Sequence, residues 1–389
     1  MRVAAYTDYE YSRTPEGVWA DRAFALFLSA LGDGDDDVRV IGRLRPGSGS
    51  SRYRLPAGLE FVALPYYRSL ANPVAVLRVA AGSLRRFWRA LDDVDVCWLL
   101  GPHPLAIAFA ALAAVRGRAV VLGVRQDLVA YAASRHPGRP SIRVAAGLLD
   151  GAFRLLARRH PVVVVGPALR ERYRRSPRLL EVAVSLVSER EIAGEADRPS
   201  ELSDRPVILS VGRIDAEKNP LMLADVLVGV RAADRRDWRL EVCGEGVLEE
   251  SLAERLSELG LTDHADLLGY VPYGLMRDRY DAATVLLHVS WTEGLPQVIV
   301  EALAARLPVV ATDVGGIGEA VGDAAILVEA GDPGAATEAI LRIAEEPGLR
   351  RRLEDAGAAY ARRHTMEVEV SRVDALIARA ARAELWWML

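Results

Sequence analysis

The strongest constraint on this chain is a repeated pattern: a short apolar run, a loop holding glycine or polar residues, then a stretch with helical spacing. The apolar runs fall at residues 2–7, 38–42, 59–64, 94–100, 119–124, 162–166 and 182–187, and again at 207–211, 240–243, 266–268, 285–289, 309–311 and 325–328. Strands buried on both faces read as near-continuous apolar runs, and parallel neighbours need crossovers that are usually helical. The alternation therefore predicts an α/β chain of two doubly wound, Rossmann-like domains in series. A length of 389 residues with 51% hydrophobic residues is consistent with two cores.

Residues 189–206, rich in Glu, Asp, Ser, Arg and Pro, read as a linker between a first domain at 1–188 and a second at 207–367. Cys97 and Cys243 fall in apolar runs of different halves, which favours neither a disulfide nor a metal site. The opening MRVAAYTDYEYSR turns acidic and aromatic too early for a signal peptide. Residues 99–115 are uncharged, but they hold Gly101, Pro102, His103 and Pro104, which suits a strand followed by a helix better than a membrane span. The expectation is a cytoplasmic protein, with peripheral contact at the inner membrane face as an open possibility.

The net charge of -4 conceals an asymmetry. Residues 1–188 carry 27 Arg and no Lys against 16 Asp and Glu, an excess of 11 positive charges; the remainder has an excess of 15 negative ones. The basic half either faces an anionic partner or attracts the acidic half. Residues 75–91 form an amphipathic helix pattern, with Leu77, Ala81, Leu84, Trp88 and Leu91 on one face and Arg78, Arg85, Arg86 and Arg89 largely elsewhere. Such a helix can dock on an anionic membrane through Arg85, Arg86 and Trp88, or pack on its own sheet, the preferred reading.

Of 49 basic residues only Lys218 is a lysine. It sits in Gly212-Arg213-Ile214-Asp215-Ala216-Glu217-Lys218-Asn219-Pro220 after an apolar run, where two cations five residues apart at a helix start would cradle an anion. Gly244-Glu245-Gly246 resembles the start of a dinucleotide fingerprint, but Glu249 occupies the place of the third glycine, so a nicotinamide cofactor is weakly supported. In VSWTEGLPQVIVEALAARLPVVAT, residues 289–312, Glu293 lies in a tight loop and Glu301 eight residues on in a helix. Amides at that helix start suit anions and hydroxyl oxygens, and carboxylates suit hydroxyl donors, so the combination fits a sugar carrying phosphate. In the first half, His103 and the group Gln126, Asp127, Tyr131 and Arg135 follow apolar runs, where α/β sheets put ligands. A purely structural His103 is equally open.

GRIDAEKN, GEG, Glu293 with Glu301, and Gly315-Gly316-Ile317, in this order and spacing, resemble the retaining glycosyltransferases of the GT-B fold, most closely glycosyltransferase family 4. The resemblance covers about residues 205–365 well and the first half in outline. It implies two Rossmann-like domains facing across a cleft, with a C-terminal helix at about 368–389 crossing back to the first. It further implies that Arg213 and Lys218 grip the diphosphate of a nucleotide-sugar and that Glu301 bonds the ribose. Glu293 would contact the sugar, the amides of Gly294, Leu295, Pro296 and Gln297 (proline supplying none) would hold sugar and phosphate, and the Val271 backbone would meet the base. Gly17, preceded by Glu16 where relatives often have a second glycine, would stand at the first loop. His288 stands where a proline is common, and Arg125-Gln126-Asp127 where many have a histidine.

The resulting expectation is a metal-independent, retaining transfer of a sugar, UDP- or GDP-linked, to a hydroxyl of a glycan, lipid-linked or small-molecule acceptor, with no cofactor and no nucleic-acid partner. A nucleotide-sugar epimerase, a non-glycosidic transferase on the same fold, and a non-catalytic nucleotide-sugar sensor remain open at this stage.

Overall fold

The computed structural model describes residues 1–31, 37–47, 52–68, 73–135, 138–194 and 201–385. The chain divides into two units: Met1–Val165 with Leu169–Leu186 and the chain from Glu367 on, and Gly166–Ala168 with Val187–Met366.

The first unit holds strands β1 (Arg2–Thr14), β2 (Gly17–Ala20), β3 (Asp37–Leu44), β4 (Tyr53–Arg54), β5 (Glu60–Leu64), β6 (Val96–Gly101), β7 (Ala119–Val124), β8 (Val162–Val165) and β9 (Leu179–Val182). Its helices are α1 (Phe24–Ala30), α2 (Pro73–Ala90), α3 (Pro104–Val115), α4 (Leu128–Arg135) and α5 (Pro140–Ala157), followed by the short α6 (Pro167–Tyr173). The parallel strands run in the order β5-β3-β1-β6-β7-β8-β9, while β2 pairs antiparallel with the later half of β1 and β4 with β2. One face of this sheet, including Tyr6, Ile41, Leu99, Leu122 and Val164, is covered by Phe87 of α2, Phe109 of α3 and Phe153 of α5.

The second unit holds β10 (Val207–Val211), β11 (Arg239–Cys243), β12 (Ala265–Gly269), β13 (Val285–His288), β14 (Val309–Thr312) and β15 (Ile326–Val328). Helices α7 (Met222–Ala233), α8 (Glu249–Glu258), α9 (Tyr273–Ala282), α10 (Gln297–Ala304), α11 (Ile317–Val321), α12 (Pro333–Glu345) and α13 (Pro347–Arg363) alternate with or follow them; α14 (Met366–Leu385) ends the described chain. The order β12-β11-β10-β13-β14-β15 is all parallel and is that of a doubly wound dinucleotide-type sheet. From Glu367 on, α14 belongs to the first unit, where Glu369 Oε1 accepts from the Ala183 amide at 3.3 Å and Arg372 donates to the Glu181 carbonyl at 2.8 Å.

Several local expectations are corrected. The first strand does not end at Thr7: Tyr9, Tyr11 and Arg13 continue with period two, and the chain turns at residues 15–16 into β2, with Thr14 opposite Gly17. Gly17 is thus a hairpin residue with φ +142°, not part of a strand-to-helix loop, and α1 begins only at Phe24. The strand expected at 182–187 is β9, which ends at Val182. On α2 the inward face is Val76, Ser83, Phe87 and Ala90, whereas Leu77 is 74% exposed. Phe87 stacks on Phe109 with ring centroids 4.0 Å apart, and this aromatic pair decides the helix rotation. Trp88 lies with the Arg116 guanidinium 4.0 Å from its ring centre, so the aromatic residue of the membrane-docking alternative is engaged within the unit. Residues 48–51, 195–200 of the expected linker, and Trp386, Trp387, Met388 and Leu389 lie outside the described residues.

Phe87→Ala is expected to destabilise the first unit by ~3–5 kcal/mol, whereas Leu77→Ala should change stability by less than ~0.5 kcal/mol. Chemical denaturation of both variants checks the assigned face.

Candidate functional site

In an open parallel sheet, ligands bind outside the carboxyl ends of the strands where the strand order reverses. In the second sheet that point lies between β10 and β13. Gly212, Arg213 and Lys218 follow β10, and Ser290 and Glu293 follow β13, so residues about 75 positions apart in sequence meet there.

The loop after β10 is shaped by the loop after β11. Gly212 donates its amide to the Cys243 carbonyl at 3.0 Å, Ile214 to Glu245 at 3.0 Å, and Leu248 back to Ile214 at 2.9 Å. At Gly244, whose φ is +157°, an added Cβ would fall 1.7 Å from the Gly212 oxygen. The Gly-Glu-Gly motif is therefore a packing device that braces the Arg213 loop, which accounts for its glycines without a dinucleotide. Beyond it a single tight turn, Ala216–Lys218, carries the lysine, and the Glu217 carbonyl accepts from the Trp291 amide at 2.9 Å, tying this turn to the β13 loop.

The side chains converge accordingly. Lys218 Nζ donates to Glu293 Oε1 in a close ion pair, and the same oxygen lies 2.9 Å from His288 Nε2 and 2.7 Å from Ser290 Oγ. His288 and Ser290 are buried, and the Thr312 hydroxyl holds the Ser290 carbonyl at 2.8 Å. Arg213 is paired through its two terminal nitrogens with Asp215 and Glu217. Arg213, Lys218, His288 and Ser290 line one hollow open to solvent, together with Val211, Leu223 and Val242. Burial alone would raise the Glu293 carboxyl, but the Lys218 charge and the His288 hydrogen bond outweigh it and hold this group well below the usual carboxylate range. Gly315, with φ +64°, lets the β14 loop pass against the same residue, since a Cβ there would sit 2.1 Å from the Glu293 carbonyl oxygen.

Glu301 is in a different environment. It lies within α10 and accepts from Tyr280 Oη of α9 at 2.7 Å; burial pushes its carboxyl up, with the tyrosine bond opposing. Neither it nor Glu293 is among the residues that line the hollow, but Glu293 is joined to it through Lys218, His288 and Ser290. Gln297 begins α10 after Pro296, which takes the cap position rather than the first helical one, and among the described residues its buried Nε2 has no hydrogen-bond partner. Val271 follows β12 at the same carboxyl edge.

In the first sheet the order reverses between β1 and β6, and His103 follows β6. Its Nδ1 caps α3, accepting from the Leu105 amide at 3.1 Å and lying 3.0 Å from Tyr6 Oη, so the ring proton of the neutral form sits on Nε2. That nitrogen faces Tyr67 Oη at 2.8 Å, and Tyr67 donates in turn to Asp8. Burial lowers the His103 pKa, with Asp8 opposing. Arg43 completes the group, 3.2 Å from Asp8 and 3.7 Å from Glu10. Asp8, Glu10, Arg43 and Tyr67 were not singled out from sequence; the signal available was the acidic, aromatic DYEY stretch directly after the first apolar run. Asp127, Tyr131 and Arg135 do share a face of α4, with Arg135 3.1 Å from Tyr131 Oη, and Gln126 is exposed. Asp127, however, caps α4 through the Val129 and Ala130 amides at 2.9 and 3.0 Å and pairs with Arg172 at 3.1 Å, which is a structural occupation.

Residues 194–360 match the family model described as "Glycosyl transferases group 1". Over that stretch the chain is similar to the group 1 glycosyl transferases. Over 380 residues it is 29% identical to a phosphatidyl-myo-inositol mannosyltransferase of Mycobacterium leprae, covering 96% of this chain and 95% of that one. It is also 28% identical over 159 residues to an alpha-D-kanosaminyltransferase of Streptomyces kanamyceticus, where the match spans 40% of this chain and only 41% of the relative. The sucrose-phosphate synthase structure from Thermosynechococcus elongatus superposes with a TM-score of 0.76 at 18% identity, covering 98% of this chain and all of that one. The GT-B fold of two Rossmann-like domains is thereby shown for this glycosyltransferase relative. Among its described residues no helix is long and apolar enough to cross a membrane.

Stability contributed by the depressed Glu293 carboxyl is present above the unfolded carboxylate range, near pH ~4.3, and drains away as pH falls toward its lower folded value. Glu293→Gln is therefore expected to flatten the fall of Tm between about pH 4 and pH 2, measured by calorimetry across that range. Gly244→Ala should cost at least ~1–3 kcal/mol, checked by thermal unfolding.

Proposed function

We propose that this protein transfers a sugar from a nucleotide-sugar to a hydroxyl-bearing acceptor, with retention at the anomeric carbon and without a metal ion. The observation that carries this reading is the joining of Lys218 to Glu293, with Arg213 in the same hollow, at the reversal point of the second sheet. Bond breaking moves negative charge onto the leaving diphosphate, so cations already fixed at that place bind the transition state more strongly than the ground state. Asp215, Glu217 and Glu293 hold Arg213 and Lys218 in position before the anion arrives. The diphosphate then competes for the guanidinium and ammonium donors.

In this reading Arg213 and Lys218 take the diphosphate. Glu293, with its second carboxylate oxygen still able to accept, meets the sugar. The amides of Gly294, Leu295 and Gln297 and the Gln297 side chain contact sugar and phosphate; its partnerless Nε2 supports that assignment. Glu301 bonds the ribose and the Val271 backbone meets the base. The two cations stand in for a divalent ion. The acceptor belongs to the first unit, where His103 and the adjacent Asp8 and Tyr67 are better placed than Asp127; Gly17 has no part. UDP or GDP as the carrier, and a glycan, lipid-linked or small-molecule acceptor, are all compatible with these contacts.

Each charge-assisted hydrogen bond to the diphosphate is worth ~1.5–3 kcal/mol, so Lys218→Ala should weaken nucleotide binding roughly ten- to a hundredfold without unfolding the protein. Isothermal titration with UDP and GDP measures the affinity, and unchanged binding in both Lys218→Ala and Glu301→Ala would remove the assignment. Nucleoside diphosphate release from a donor panel should persist in EDTA. Tight binding with every donor left intact would make the protein a sensor instead.

A further inference from the structure

Helix α5 has two faces of opposite character. Ala146, Asp150, Phe153 and Ala157 point inward and are buried, and Phe153 belongs to the core under the first sheet. On the opposite side Val144, Leu148 and Leu155 are 62%, 71% and 62% exposed. Positions four and seven apart align on a helix, so these three aliphatic chains form one continuous outward stripe. Scattered exposed leucines are ordinary on protein surfaces; three in register on one helix are not explained by packing.

The rim of this stripe is basic. Exposed Arg143 and Arg154 flank it on the helix, Arg139 precedes it, and Arg158 and Arg159 follow. The one acidic residue of α5, Asp150, points inward and is engaged by Arg172 at 2.8 Å and Tyr173 at 3.0 Å. Arg154 also reaches Asp150 at 4.0 Å, so the outward face combines aliphatic side chains with an excess of positive charge from Arg139, Arg143, Arg158 and Arg159, in a half that carries 27 Arg against 16 acidic residues. A nucleic acid would match the charge but not the aliphatic stripe. An interface of anionic lipid matches both, taking the apolar chains below the headgroups and the guanidinium groups beside the phosphates.

We infer that the outward face of α5, through Val144, Leu148 and Leu155 rimmed by arginines, is a docking surface for an anionic lipid bilayer. The surface is on α5 rather than α2, where Trp88 is held under Arg116. It is independent of the donor site, so the two readings fail separately.

Full-length protein is sedimented with vesicles of pure phosphatidylcholine and with vesicles holding about a third phosphatidylglycerol, at low and high salt. The wild type should bind the anionic vesicles at low salt, lose most of that binding at high salt, and ignore the neutral ones. Leu148→Ser with Leu155→Ser, and separately Arg143→Glu with Arg158→Glu, should each reduce the bound fraction about tenfold while Tm stays unchanged. Binding that is equal for wild type and both double variants overturns the proposal. So does failure of the wild type to bind, including the case in which light scattering shows this face closing a dimer of the chain that Leu148→Ser with Leu155→Ser dissolves.

Discussion

One carboxylate oxygen holds the candidate site together. Glu293 Oε1 receives Lys218, His288 and Ser290 at once, in a place from which water is largely removed. An unpaired carboxylate there would be costly, and the three donors turn the cost into a fixed geometry. The lysine comes from the loop after β10, the other two from the end of β13 and its loop, so the contact joins the strands on either side of the reversal point. The interlocked loops after β10 and β11, with Gly244 against Gly212, and the tie from Trp291 to Glu217 all serve to keep that lysine where the oxygen is.

The two paired glutamates of the sequence are chemically unlike. Glu293 is drawn down by a cation and a histidine, whereas Glu301, with a tyrosine for its partner, is pushed up by burial. A carboxylate held ionised next to a lysine is a strong acceptor, and a buried carboxyl with a tyrosine donor keeps further lone pairs free to accept. His288 bonds the very oxygen on which the lysine sits.

Much of the fold could be read in advance because parallel strands buried on both faces leave an unmistakable apolar signature, as at residues 119–124 and 285–289. The failures were local and have local causes. The first strand was cut at Thr7 because alternating polar residues beyond it look like a loop when no partner strand is known, yet β2 supplies one. The rotation of α2 is not legible in sequence because both of its faces carry apolar residues, and the Phe87–Phe109 stack decides between them. The partners of Asp127, the α4 amides and Arg172, are likewise not legible from its residue type.

Arg213, Lys218, Glu293 and Glu301, the residues proposed for the donor, are legible in the sequence itself, since their order and spacing after apolar runs do not depend on how the chain closes up. What only tertiary structure decided was which of them touch: that Lys218 reaches Glu293, that His288 and Ser290 share its oxygen, that Glu301 turns to Tyr280, and that Asp8, Tyr67 and Arg43 gather around His103. The physical reason is that strand order is not written in sequence order. The reversal in each sheet makes neighbours of β10 and β13, and of β1 and β6, and the chemistry of a parallel sheet collects at those junctions.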